Sequence, residues 1–160
     1  MADIETRLAV LEQRLQEAED RLAIYQLIAS YGPAVDTLDG EAVSALWTED
    51  GVYDTQSRPF RGQADISGIV NTAQHRSYVE RGGGHVMSLP QITIDGDTAV
   101  AIGYSNVFTR DGKHWRVERT SSNRWELVRT LLGWRVKHRL NRLLDGTEAH
   151  RDILARASRG

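Results

Sequence analysis

The change in hydrophobic period near residue 85 is the feature that most constrains how this chain can fold. Before it, apolar residues recur every three or four positions, as they do on one face of a helix. From His85 onward apolar and polar residues alternate, and the pairs Asp95-Gly96 and Asp111-Gly112 predict hairpin turns. The pattern predicts an α+β domain, in which N-terminal helices cover a curved antiparallel sheet. Such a sheet forms a cone, whose mouth is a natural small-molecule pocket.

The helical half begins with a heptad pattern. Its apolar positions are separated by alternating steps of four and three, like the seam of a coiled coil: Ile4, Leu8, Leu11, Leu15, Ala18 and Leu22. One interpretation is an amphipathic helix lying on its own domain, and the other is a self-association arm. We predict an arm over residues 1–22 and the domain over residues 23–160. The helix should run on through Ile24–Tyr31, until Gly32-Pro33 breaks or kinks it.

The remaining elements follow from the same patterns. Helices are predicted over Thr37–Trp47, Ala64–Arg81 and Thr147–Ala157, with a turn at Arg58–Gly62 and a strand opening at Val52. Four strands are then predicted: His85–Asp95 with an interruption at Pro90, Thr98–Arg110, Trp115–Val128 and Trp134–Asn141.

Composition narrows the possible functions. The net charge is −2, from 20 basic and 22 acidic residues, whereas nucleic-acid binding usually shows a concentrated basic surface. The chain has no cysteine, which excludes disulfides, thiolate catalysis and zinc–thiolate sites, and its histidines lack metal-binding spacing. It also shows no signal pattern and no apolar run of membrane-spanning length. We therefore expect a cytoplasmic protein that binds neither nucleic acid, membrane nor metal.

Two titratable residues stand out by their positions. Asp36 lies where the first apolar helix face ends, and a charge beside an apolar face is costly without a partner. His85 opens its strand directly after three glycines, and histidine is the side chain that most readily exchanges a proton near neutral pH. The other four histidines are expected to be structural or surface residues: His75, His114, His138 and His150.

Strand alternation predicts which side chains face the pocket. The odd positions of Trp115–Leu127 are apolar at both ends and polar in the middle, which favours an inward face that carries Arg119, Ser121 and Asn123. A bulge that reverses the alternation would instead leave these side chains in solvent. The even positions of the preceding strand, including Asn106 and Phe108, are also predicted to face inward. The last strand carries a basic face that we expect to be solvated or intersubunit: Arg135, Lys137 and Arg139.

The order of these motifs resembles the SnoaL-like branch of the nuclear transport factor 2-like superfamily over about residues 20–142. The resemblance is carried by AIYQLIASYGPAVDTLDGEAVSALWTEDGVYD, the F-R-G at 60–62, GHVMSLPQITIDGDTAVA, SSNRWELVR and GWRV. Within the superfamily the chain looks most similar to the scytalone dehydratase, hexachlorocyclohexane dehydrochlorinase and bile-acid dehydratase group.

The resemblance implies a cystatin-like α+β barrel or cone, commonly a trimer, without metal or organic cofactor. It also implies a His–Asp dyad at His85 and Asp36, with Tyr31 at a further pocket position. Ser121 and Asn123 match the Ser-x-Asn pair of scytalone dehydratase. A second histidine on the inward face of Thr98–Arg110 is missing, which argues against scytalone as the substrate.

The resemblance, together with residue types suited to acid–base chemistry, implies a cofactor-independent lyase that acts by dehydratase-type β-elimination on a small cyclic, polyketide-like or steroid-like substrate. His85 would be the base, Asp36 would orient it, and Tyr31 would donate a hydrogen bond, with Tyr53 as a second donor. The residues expected to contact the substrate are Tyr53, Trp47, Phe60, Met87, Asn106, Phe108, Arg119, Ser121, Asn123 and Trp125.

Two other functions remain open at this point. One is an isomerase or hydrolase in the same pocket, although only Asp36 and Asp54 suggest themselves as pocket acids. The other is a non-catalytic small-molecule-binding or assembly domain, which the heptad arm favours. In each case we expect a homo-oligomer, with a trimer favoured over a dimer.

Overall fold

The computed structural model describes residues 2–155, so the last residues of the helix predicted over Thr147–Ala157 lie outside it. The helices are α1 (Ala2–Asp36), α2 (Gly40–Ser44), α3 (Gly62–Ser67), α4 (Ala73–Glu80) and α5 (Glu148–Ala155), with a 3₁₀ turn at Gly68–Asn71. The strands are β1 (Trp47–Asp54), β2 (Pro59–Arg61), β3 (Gly84–Met87), β4 (Gln91–Asp95), β5 (Thr98–Asp111), β6 (His114–Thr130) and β7 (Gly133–Leu143).

The strands form one curved sheet in the order β2-β1-β7-β6-β5-β3, and β4 also pairs with β5. The predicted α+β class and the antiparallel meander β5-β6-β7 are confirmed. The sheet is mixed rather than wholly antiparallel, because β1 pairs with β7 in parallel. After the short hairpin of β1 and β2 the chain forms helical segments. It pairs with β1 again only through its last strand, β7. The sheet stays open between β2 and β3 and does not close into a barrel.

The prediction was that Gly32-Pro33 breaks or kinks the helix; α1 is continuous to Asp36, so the helix does not break there. Pro33 lies on the exposed side of the last turn, and the Thr37 amide still donates to the Pro33 carbonyl over 3.0 Å. Gly32 has a different purpose, since a Cβ at this position would overlap the carbonyl oxygen of His85. The glycine therefore lets α1 approach β3 closely enough for their side chains to meet.

Two predicted helices are shorter than their sequence patterns suggest. The helix predicted over Thr37–Trp47 is only α2, capped by Asp39, whose side chain accepts from the Ala42 amide over 2.9 Å. Trp47 instead opens β1. The helix predicted over Ala64–Arg81 is divided into α3, the 3₁₀ turn and α4. The predicted turn at residues 58–62 contains β2, which pairs with β1.

The hydrophobic core lies between the last turns of α1 and the inner face of the sheet. Its fully buried members include Ile24 and Ile28 from α1, and Trp125, Leu127 and Val136 from β6 and β7. These residues fix the direction of α1 across the sheet. α5 contacts β5, β6 and β7.

The first half of α1 extends beyond this core, and residues 3–19 are all exposed. The helix meets the sheet at Asp20, whose carboxylate accepts from two nitrogens of Arg129 (2.6 and 2.7 Å) and from Trp134 Nε1 (3.0 Å). None of the helices within residues 2–155 combines the length and the apolar content that a membrane crossing requires.

Candidate functional site

A cavity of about 970 Å³ opens between the end of α1, α4 and the inner face of the sheet. Its walls include side chains from most of the elements described above. The lining residues relevant to its chemistry are Tyr31, Tyr53, Phe60, His75, His85, Met87, Arg119 and Arg139. Apolar and polar groups thus face the same space, as in small-molecule sites generally.

His85 and Asp36 meet at one wall of this cavity. His85 Nδ1 lies 2.6 Å from Asp36 Oδ1, and the His85 backbone N–H donates to Asp36 Oδ2 over 2.8 Å. The carboxylate therefore contacts one residue through both oxygens, which fixes the imidazole ring in position. The side chain of His85 is 11% exposed and that of Asp36 is 24% exposed, with Asp36 behind the histidine.

This contact assigns the protons of the neutral His85 ring. An ionised carboxylate only accepts, so Nδ1 carries the proton and Nε2 is left with its lone pair. A ring held in this tautomer can take a proton at Nε2, and the nearby carboxylate stabilises the imidazolium that results.

His75, on α4, lies beside His85 with the two rings stacked at a centroid distance of 5.1 Å. Its Nε2 is 2.7 Å from the Val35 carbonyl oxygen, an acceptor, so Nε2 carries the proton of the neutral ring. Burial lowers the pKa of His75, and the neighbouring His85 acts in the same direction, although the Val35 contact opposes them. His75 was expected to be structural or on the surface, and its position in the cavity was not foreseen.

Tyr31, on the cavity wall, lies at the centre of an aromatic cluster. Its ring makes edge contacts with Trp47, Tyr53, Trp125 and His85 at centroid distances of 5.9 to 6.5 Å. Burial raises the pKa of Tyr31, so its hydroxyl stays protonated and remains a hydrogen-bond donor.

Arg139 places a positive charge in the middle of these rings. Its guanidinium carbon is 3.9 Å from the ring centroid of Trp125, 4.2 Å from Tyr31 and 4.4 Å from Tyr53. The residue is 1% exposed, and it donates through Nε and Nη2 to Asn123 Oδ1 over 3.0 and 2.8 Å. Within the described residues, no carboxylate pairs with it and Nη1 has no hydrogen-bond partner.

The inward position of Arg139 corrects the prediction that the basic face of the last strand is solvated or intersubunit. Leu127 pairs with Val136 and Glu126 with His138, so Lys137 is an extra residue in β7. Such a bulge reverses the alternation, and Arg139 faces inward after it although Arg135 and Lys137 do not.

A network of amide, hydroxyl and guanidinium groups runs from the cavity wall to the buried Asn123. Asn123 Oδ1 also accepts from Asn141 Nδ2 (2.8 Å), and Asn123 Nδ2 donates to Ser105 Oγ (2.9 Å). Arg119 Nη2 donates to Asn141 Oδ1 over 2.8 Å. The network connects the guanidinium of Arg119, at the cavity wall, to the buried guanidinium of Arg139.

The predicted site residues fall into three groups. On the cavity wall lie Tyr31, Tyr53, Phe60, His85, Met87 and Arg119. Behind that wall lie Asp36, Trp47, Ser121, Asn123 and Trp125. Asn106 and Phe108 belong to neither group, because β5 turns its odd positions inward, including the buried Ser105, Val107 and Thr109. The predicted inward face of β5 is therefore wrong.

Two acidic residues that the sequence did not indicate also line the cavity. Glu118, the extra residue at a bulge in β6, accepts from Thr109 Oγ1 over 3.0 Å and lies 3.5 Å from Arg81. Asp145 accepts from the Thr147 hydroxyl over 2.7 Å. Among the residues that the structure describes, no three histidine, aspartate or glutamate side chains converge as metal ligands would.

Comparisons with known proteins agree with this fold. A sequence model of the SnoaL-like domain matches residues 16–140. A nuclear transport factor 2-like protein with a cystatin-like fold from Novosphingobium aromaticivorans is 40% identical, with a TM-score of 0.89 over 92% of this chain and 96% of that chain. No protein among the curated sequences matches this chain.

Two further structures are more distant. One, from Novosphingobium aromaticivorans, is described as a candidate aromatic ring hydroxylase; it is 27% identical, with a TM-score of 0.62 over 79% of this chain and 90% of that chain. The other, from Catenulispora acidiphila in complex with S-DNPA, is 24% identical, with a TM-score of 0.65 over 80% of this chain and 96% of that chain. The fold is thus nuclear transport factor 2-like, and the chain belongs to the SnoaL-like domain family.

Proposed function

We propose that the protein is a cofactor-independent lyase that removes water, or a similar leaving group, from a small cyclic substrate by β-elimination. The observation that carries the proposal is the contact between His85 Nδ1 and Asp36 on the wall of an open cavity. It leaves a basic nitrogen, Nε2, beside a space where a substrate can bind.

In the proposed reaction, His85 Nε2 removes a proton from the carbon next to a carbonyl group. The electrons of the broken C–H bond form a C=C bond, and the C–O bond to the β-hydroxyl breaks. His85 then returns its proton to the departing hydroxide, which leaves as water. Asp36 stabilises the imidazolium between these steps, and general acid–base assistance of this kind contributes about 10²–10⁴ in rate.

Removal of the proton places negative charge on the carbonyl oxygen, and the cavity floor carries groups suited to it. Tyr31 keeps its hydroxyl proton because burial raises its pKa. Arg139 adds a buried positive charge that no carboxylate neutralises within residues 3–155. Fixed donors and charges in a water-poor site stabilise developing charge more effectively than water does.

The cavity walls favour a cyclic substrate. Tyr53, Phe60 and Met87 form an apolar wall, and a volume of about 970 Å³ is at the upper end for small-molecule sites. The structural relative described as a candidate aromatic ring hydroxylase supports a ring-shaped substrate.

An isomerase that uses a carboxylate as base is less well supported. Asp54 forms an ion pair with Arg142 at 3.2 Å. Glu118 and Asp145 are held by their own hydrogen-bond partners. The imidazole of His85 is the better base, because histidine is the side chain that most readily exchanges a proton near neutral pH.

The test is a thermal-shift screen of cyclic alcohols, ketosteroids and polyketide-like phenols, followed by mass spectrometry of each bound compound. Wild-type protein should convert at least one β-hydroxy ketone to the product that has lost water. His85→Ala and Asp36→Asn should each abolish most turnover and leave the fold intact. His138→Ala is the matched control, because His138 lies 3.7 Å from Glu126 outside the cavity.

Either of two results would refute the proposal. One is unchanged turnover in His85→Ala. The other is tight binding of several β-hydroxy ketones without loss of water from any of them, which would favour a binding domain.

A further inference from the structure

The exposed part of α1 carries an apolar seam with no partner in its own domain. We assign heptad position a to Leu8, Leu15 and Leu22. Every a and d position from residue 4 to residue 22 is then occupied by a residue of the seam. The large members of the seam are each more than half exposed: Ile4, Leu8, Leu11, Leu15 and Leu22. An apolar stripe of this regularity on a solvated helix marks an interaction surface.

The seam faces away from the domain to which the helix belongs. Asp20, which anchors α1 to Arg129 and Trp134, occupies heptad position f, on the side opposite a and d. Leu22, only two residues further along, remains exposed at position a. Two copies can therefore bring their seams together while their domains lie on the outside.

Charges on both sides of the seam specify what covers it. All three e positions are glutamate (Glu5, Glu12 and Glu19), and all three g positions are arginine (Arg7, Arg14 and Arg21). In a parallel pair of helices, each g residue faces the e residue of the next heptad on the other helix, so arginine meets glutamate. In an antiparallel pair g faces g and e faces e, so like charges meet.

We propose that the partner is a second copy of this chain, bound through a parallel, in-register coiled coil of the two arms, which gives a dimer in place of the trimer that the resemblance favoured. Arg7 of one copy would pair with Glu12 of the other, and Arg14 with Glu19. Within residues 2–155 neither Arg7 nor Arg14 is paired with a carboxylate of its own chain. Arg21 is already bound to Glu17 and to the Ile92 carbonyl oxygen.

The arm is short, about three heptads, but its helix does not have to form unaided. Nucleation is the costly step in helix formation, and an isolated helix of this length is marginal. Here residues 20–36 are held in α1 by the sheet and the core, so the arm only extends a helix that already exists. Association then needs only to bury the seam and form the pairs between e and g.

Cysteine cross-linking tests the orientation directly, because the chain has no cysteine of its own. A disulfide forms only between residues whose Cα atoms lie within about 7 Å. Leu8→Cys places a thiol at an a position, where a parallel pair brings identical residues together. We expect rapid covalent dimers under mild oxidation. Gln13→Cys, at the outward position f, is the matched control and should cross-link at least about tenfold more slowly.

Two outcomes would overturn the proposal. Cross-linking of Leu8→Cys no faster than of Gln13→Cys would mean that the arms do not pair. Cross-linking only in a mixture of Leu8→Cys with Ala18→Cys would mean that the arms run antiparallel, because residue 8 then lies near residue 18.

Charge reversal tests the specificity of the pairing without a covalent bond. Arg7→Glu with Arg14→Glu makes both sides of the seam acidic, and self-association should weaken by about tenfold or more in sedimentation equilibrium. Adding Glu12→Arg and Glu19→Arg restores every pair at the wild-type net charge, and association should recover. A monomer of 18.0 kDa for the wild type, or no recovery in the fourfold variant, would contradict the proposal. Neither experiment depends on the reaction proposed above.

Discussion

The junction between α1 and the sheet gives the most quantitative prediction. Asp20 is the more buried partner of its ion pair, since its side chain is 8% exposed and that of Arg129 is 32% exposed. The hydrogen bonds from Arg129, and then those from Trp134 and Gln16, lower the pKa of Asp20 from 3.8 to about 2 against the opposing effect of burial. At about 1.4 kcal/mol for each pH unit, this difference corresponds to a contribution of roughly 2.5 kcal/mol to stability at pH 7.

Asp20→Asn should therefore lower the free energy of unfolding by about 2 kcal/mol at neutral pH, because it removes the charge and leaves one acceptor oxygen. The folded pKa lies below the unfolded pKa, so the contribution is complete above about pH 4 and is lost as the pH falls to about 2. The stability difference between wild type and variant should accordingly shrink over that interval.

Urea unfolding at several pH values and one protein concentration measures this difference. Asp97→Asn is the matched control, because Asp97 binds the same Arg129 over 2.9 Å but its side chain is 81% exposed. We expect that control to change stability by less than about 0.5 kcal/mol. Equal effects of the two substitutions, or an Asp20→Asn effect that persists undiminished at pH 2.5, would refute the reasoning.

Three further substitutions test the site. Gly32→Ala should lower the free energy of unfolding in urea by about 1–3 kcal/mol and should also lower turnover, because its methyl group would overlap the His85 carbonyl oxygen. Gly68→Ala is the control and should preserve turnover, because its methyl group enters open space. Arg139→Met should reduce turnover at least about 100-fold in steady-state assays and change the free energy of unfolding by under about 1.5 kcal/mol. A larger loss of turnover from Arg135→Met would contradict the role of Arg139 in stabilising the developing negative charge. Burial lowers the pKa of His75 below its unfolded value, so wild-type stability should fall as the pH drops through about 6.5. His75→Gln should lessen that fall. Identical stability profiles against pH for the wild type and the variant would contradict this prediction.

Most of the architecture could be predicted from the sequence because hydrophobic period and turn residues are local signals. The alternation after His85 and the Asp-Gly pairs correctly indicated the meander of β5, β6 and β7. The lengths of the helices were less predictable. Trp47 continues the apolar pattern of α2, but pairing with Val136 places it in β1.

The cavity was predicted only in part because bulges and double-sided burial are not visible in strand alternation. Lys137 reverses the alternation of β7 and turns Arg139 inward. In β5, Ala101 on the inner face and Ile102 on the outer face are both buried, so apolar residues did not indicate which face was inside. Asn106 was assigned to the wrong face for this reason.

His75 was missed for a different physical reason. Its role depends on α4 lying against His85, and a contact between a helix and a distant strand leaves no periodic signal in the sequence. His85 and Asp36 were identified together only through a family resemblance, since 49 positions separate them.

The most direct test of the central claim is the rate of proton removal itself. A bound ketone that lacks a leaving group should exchange its α-hydrogen for deuterium in D₂O, and proton NMR measures the rate of that exchange. We predict exchange with the wild type and with His138→Ala, and at least about 100-fold slower exchange with His85→Ala. Exchange at the wild-type rate in His85→Ala would contradict the assignment of His85 as the base.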